Sequence, residues 1–123
     1  MNRLMSIALG MLLTASAAIA QQPAAVDEAY HARYITAGYL QRAGAVCSDD
    51  SKRTIAAASI LVSGDEMKAF SRSFASKVKA WMTEGKQVFD IDVRQGGIRP
   101  ACEAAMRERR KVEATGKPSA SAQ

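Results

Sequence analysis

Cys47 and Cys102, the only two cysteines of the chain, stand 55 positions apart. Joined, they would tie together the two ends of almost everything foldable between them. Whether they join depends on the compartment, and the first 20 residues, MNRLMSIALGMLLTASAAIA, speak to that. Arg3 and the free amine make a short positive start. Leu4 to Leu13 is an apolar core interrupted only by Ser6 and Gly10, and Ala18-Ile19-Ala20 supplies a small-x-small pattern. This layout predicts a secretory signal peptide cut between Ala20 and Gln21. The competing reading is a membrane anchor, but the apolar stretch falls short of the roughly 20 residues a bilayer requires. No cysteine follows the cut, so lipid attachment there is not expected. The chain is therefore expected to be exported, periplasmic or extracellular, and not integral to the membrane after cleavage. Disulfides persist in such compartments, which predicts a Cys47–Cys102 bridge. A redox-active or nucleophilic thiol is the rival. Thiol oxidoreductases pair cysteines as C-x-x-C, which is absent, and a Cys–His nucleophile would have to use the lone His31.

The mature chain would hold 103 residues, which is one domain. A core of that size gives marginal stability by itself. Closing a loop of this length contributes roughly 4 kcal/mol, comparable to the whole stability of a small domain. Without Arg3, 16 basic side chains face 12 acidic ones, a net of +4. That is too little to argue for nucleic acid.

Val26 to Cys47 has no proline and reads as an amphipathic helix. Its inward sector gathers Ile35, Ala37, Tyr39, Leu40, Ala43, Val46 and Cys47, with Asp27, His31, Gln41 and Arg42 opposite. Gly38 and Gly44 weaken that helix but permit close approach by a neighbour. SDDSKR breaks the pattern as a loop, and residues 53–62 read as a short apolar helix buried on most sides. Ser63 and Glu66 have capping-box spacing. Met67, Phe70, Phe74, Val78, Trp81 and Met82 then recur at helical steps, and Gly85 ends or softens that helix. In QVFDIDVRQGG, Phe89, Ile91 and Val93 alternate with charged residues at strand period. No second strand is available to pair with it, so helix is the better reading. Gly96-Gly97 breaks the chain, Pro100 suits the first turn of a last helix, and that helix runs to about Val112. The expected fold is all-α, a small single-domain bundle of four to five helices stapled by one disulfide. The expected organisation is a signal peptide over residues 1–20, a helical domain over 21–113 and a disordered polar tail over 114–123.

Few side chains suggest chemistry. His31 lies one turn from Asp27, which is either a general base with its orienting acid or an ordinary surface pair. With no serine or second histidine indicated nearby, the surface pair is expected. Asp49-Asp50 and Asp90-x-Asp92 lack the further oxygen ligands of a calcium loop, and one histidine with two cross-linked cysteines leaves too few ligands for zinc. No cofactor, metal site or catalytic set is expected. Trp81, Phe70 and Phe74 read as core, whereas Tyr34 falls near the polar sector and is expected to be available to a partner. RERRK, Arg107 to Lys111, is the one concentrated run of charge. Arg107, Arg109, Arg110 and Lys111 are the candidate contacts to an anionic surface, a polymer or another envelope protein.

In size, export signal and widely spaced cysteine pair, the chain resembles small periplasmic acid-stress chaperones. No motif is shared with them, so no residue role follows. The leading expectation is a non-catalytic binding or envelope accessory protein. A stress-type holdase is the first alternative, and a small enzyme using His31 is the second.

Overall fold

A computed structural model of the chain describes residues 28–48, 50–62 and 72–119. The expected signal peptide with its Ala20–Gln21 cut, the Ser63–Glu66 capping box and residues 120–123 lie outside the described residues. The chain divides into two units, Met1–Tyr30 and His31–Gln123. Of the first, residues 28–30 are described, and they are helical. The second is the packed bundle. Among the described residues there are four helices and no strand: α1 (residues 28–46), α2 (Ser51–Leu61), α3 (Arg72–Gly96) and α4 (Ile98–Thr115). No described helix is long and apolar enough to cross a membrane. The molecule is an all-α bundle with one disulfide.

α1 is the shared element of two apolar clusters. Its Ala37 and Leu40 pack with Ala57, Ala58 and Leu61 of α2 and Val112 of α4. One to two turns later, Ala43 and Cys47 pack with Phe89 of α3 and with Ala101 and Ala105 of α4. Neighbours on more than one side explain why its buried positions do not form a single stripe. Tyr34, expected on the polar sector and open to a partner, is instead 0 % exposed. It stacks on Trp81 of α3, with ring centroids 6.5 Å apart. Ile35, Tyr39 and Val46 are half-buried.

α3 is a single helix of 25 residues, ~37 Å long at 1.5 Å per residue. Gly85 does not end it. There α3 crosses α1 with backbone against backbone. A Cβ on Gly85 would overlap the carbonyl oxygen of Ile35 and stand 2.8 Å from the Tyr39 nitrogen. A Cβ on Gly38 would meet Met82 in the same way, 2.7 Å from its carbonyl carbon. The stretch with strand-like alternation lies inside α3. Phe89 and Val93, four residues apart, turn inward together, and Ile91 is left 40 % exposed.

Gly97 then turns the chain into α4. Its φ of 91° lies in the region that side-chain-bearing residues avoid. Its N–H still donates to the Val93 carbonyl at 2.9 Å. Five residues on, the bridge joins Cys102, in the first turns of α4, to Cys47 just past the end of α1, with 5.9 Å between the Cα atoms.

α2 differs from expectation. Thr54, Ala57, Ala58 and Leu61 face inward at helical spacing, while Ile55 and Ile60 are 43 % and 47 % exposed. The small alanines let α2 lie close on α1, so one side is buried and the other is open.

α4 continues to Thr115, and Gly116 caps it by donating to Val112. Pro118 is buried, and the Ser119 amide and hydroxyl both donate to the Glu108 carboxylate, at 2.8 and 2.6 Å. Tyr39 lies beside this latch and packs edge-on against Phe89. Burial, and then the nearby carboxylates of Asp92 and Glu108, push its phenol up to about 12 from an ordinary value of 10.0. The neutral phenol is the favoured form, so the stabilisation is complete below pH ~10 and is lost as pH climbs through ~12. Denaturation curves measured at several values across that window should lose about 2 kcal/mol more in the wild type than in Tyr39→Phe.

Candidate functional site

α4 carries charge on two of its sides, with opposite consequences. The inward side runs Ala101, Ala105, Arg109, Val112, all buried. The outward side runs Arg99, Glu103, Arg107 and Lys111 at four-residue steps, with Arg110 three residues past Arg107, all exposed. Side chains so spaced share a helix face. Four cations and one acid are thereby spread over ~18 Å.

Arg109 therefore does not belong with the expected anion contacts. It is 5 % exposed and sits in the joint between α2 and α4. Its Nη1 donates to the Thr54 hydroxyl at 3.3 Å and to the Met106 sulfur at 3.1 Å. The Asp50 carboxylate lies 3.8 Å from Nη1 and the Glu113 carboxylate 3.6 Å from Nε. Nε makes no hydrogen bond of its own, so Glu113 acts on it by charge alone. Glu113 also accepts from Arg53 of α2 at 2.7 Å. Asp50 holds a left-handed backbone, φ 50°, directly before α2, a conformation aspartate tolerates better than most residues. One buried guanidinium thus ties the start of α2 to the last turns of α4. The sequence spacing places residue 109 on the inward stripe, but an arginine in a basic run argues for the surface.

Arg107, Arg110 and Lys111 are exposed as expected, and Arg99 joins them. The basic run pointed only to residues 107–111. Arg99 was missed because it stands alone in sequence, although counting back eight positions from Arg107 puts it on the same face. Among the described residues, none of these four side chains lies within ion-pair distance of an acid. Other cations are engaged. Arg42 pairs with Asp90 at 2.9 Å, Arg53 with Glu113, and the Arg33 Nε donates to the Leu61 carbonyl at 2.7 Å.

The remaining candidates are dispersed. His31 contacts Glu84 of α3, Nε2 to Oε2 3.2 Å, and its ring lies 5.2 Å from that of Trp81. Its expected neighbour Asp27 is outside the described residues. Trp81 is half-buried among His31, Tyr34 and Phe74, the last edge-on at 5.7 Å. Phe70 and Asp49 are outside the described residues. Among the described residues, no group of three or more His, Cys, Asp or Glu side chains could hold a metal ion. No family model matches the chain, and neither does any curated protein or any solved structure.

Proposed function

We propose that the mature chain is an exported, non-catalytic binding protein that engages an anionic partner through the outward face of α4. Export is supported by the leader-like first 20 residues and by a bridge that an oxidising compartment would preserve. The observation that carries the binding reading is the sorting of arginines on one helix. Arg109 is committed to the α2–α4 joint, while Arg99, Arg107, Arg110 and Lys111 remain in solvent without an acid partner among the described residues. Unneutralised cations in a row are a ready electrostatic footprint.

Retention of the mature chain on dextran sulfate tests the reading. Replacing Arg107, Arg110 and Lys111 together by glutamine should lower the eluting salt and cut the salt-dependence slope by about three. Glutamine at Lys52, Lys79 and Lys86 removes the same charge from other exposed positions and should change retention far less. Equal shifts in the two triple variants would reduce the effect to net charge and end the proposal. Arg109→Ala should behave differently from both. It should lower stability by about 2 kcal/mol, less than a fully buried pair because Asp50 is well exposed, and leave retention of the folded protein unchanged.

The holdase alternative has the exposed Ile55 and Ile60 in its favour. It requires suppression of a client's aggregation that Ile55→Lys with Ile60→Lys removes.

A further inference from the structure

A cleft of about 360 Å³ opens where the end of α1 meets the start of α4, directly over the bridge. Its volume falls at the lower end of the range used for small molecules, roughly 300–1,000 Å³. Val46, Ile98, Met106 and the paired sulfurs of Cys47 and Cys102 make it apolar. Ile98 is 54 % exposed, more than any other large apolar side chain described, so its apolar surface is available for a ligand to cover. Two charged residues line the cleft, Arg99 and Glu103, and both belong to the outward face of α4. Arg107, Arg110 and Lys111 continue that face away from the cleft.

The other described hollows are not lined by the cations of α4. The one beside Tyr39 is lined by Asp92, Glu108 and Ser119. The one between α1 and α3 contains Arg42, which Asp90 already neutralises, and Arg94, which stands on α3 away from the outward face of α4. Of these three, only the cleft over the bridge is lined by a cation of the outward face of α4.

We infer that the anionic partner is a single-chain amphiphile with a carboxylate head, whose chain enters the cleft over the Cys47–Cys102 bridge and whose head meets Arg99. This rests on the reading of α4 as an anion-binding face. Arg99 is the first cation the head reaches, and the cations further along α4 add attraction. Glu103, on the cleft itself, opposes a carboxylate, and its presence sets a sign that the test can read.

Dodecanoate below its micelle concentration, titrated calorimetrically into the oxidised mature chain, is the test. It should bind one-to-one, while butyrate, the same head without the chain, and dodecyltrimethylammonium, a comparable chain with the opposite charge, should not. Arg99→Gln should weaken dodecanoate about fivefold, and Glu103→Gln should tighten it two- to fivefold by removing a like charge, an effect of about the same size. Ser48 is exposed and lines the cleft, so Ser48→Trp should block the chain without disturbing the core or dextran sulfate retention. Absent dodecanoate binding, binding undiminished in Ser48→Trp, or equal binding of the ammonium amphiphile would each overturn the inference. If dextran sulfate retention persists in that case, the basic face stands and only the cleft's role falls. If retention is lost as well, both fall together.

Discussion

Gly38→Ala and Gly85→Ala, made singly, should each destabilise the bundle by about 3 kcal/mol or more, at the upper end of what overpacking costs. Alanine is otherwise the better helix former by about 1 kcal/mol, so at an open helical position the same change stabilises. The sign is reversed here because the added methyl meets backbone. At Gly38 it would overlap Met82, and at Gly85 it would overlap Ile35. Neither carbonyl can swing aside as a side chain would, since each belongs to a helix. The two helices must separate, and that separation loosens the contacts of Met82 and Tyr39 with the apolar clusters. Gly96 supplies the internal control, with nothing within 4 Å of its would-be Cβ. Gly96→Ala should be neutral or stabilising by about 0.5 kcal/mol. Thermal and urea denaturation of the three variants separates these outcomes, and a mild effect at Gly38 or Gly85 would mean that α1 and α3 do not touch as described.

Reducing the Cys47–Cys102 bridge should lower stability by roughly 4 kcal/mol, the value for a loop of this length on chain-entropy grounds. In a domain of this size that corresponds to a fall of roughly 20 °C in Tm. The sulfurs are anchored in packed surroundings. Cys47 is 5 % exposed and clusters with Ala43, Phe89, Ala101 and Ala105. Cys47→Ala with Cys102→Ala should therefore lose slightly more than reduction does, because it also removes buried sulfur volume. A reduced protein that melts within a degree or two of the oxidised one would show that the bridge adds little to what packing already fixes. Intact mass after alkylation without reductant should first show no free thiol.

The all-helical class, the turn at Gly96-Gly97, and the bridge followed from periodicity, breakers and cysteine count. The stretch around Phe89 was ambiguous because two charged residues interleave with three apolar ones. Only the absence of a partner strand favoured helix, and Phe89 with Val93 on one inward face agrees with that choice. Tyr34 was misplaced for a different reason. A single hydrophobic sector describes a helix packed on one side, and α1 is packed on more than one. Gly38 and Gly85 mark its tightest contact, yet glycine adds nothing to an apolar sector, so the crossing left no hydrophobic trace. α2 misled through composition, since a nearly apolar stretch need not be surrounded when its alanines fit so closely on one side.

The basic face was half visible. The RERRK run pointed to α4, and Arg107, Arg110 and Lys111 face solvent there. Its other arginine, Arg109, is accounted for by Thr54, Asp50 and Glu113, residues brought to it only by folding. The cleft depends on the bridge drawing the end of α1 against the start of α4, a juxtaposition that two cysteine positions imply without giving its shape.

The covalent link between residues 47 and 102 closes α2 and α3 into a ring of main chain. A peptidase that cuts once anywhere inside that ring opens it without dividing the molecule, and both fragments stay tethered through sulfur. Clipped once in this way, the polypeptide would keep its mass, gaining only one water, and its parts would remain beside one another to close up again.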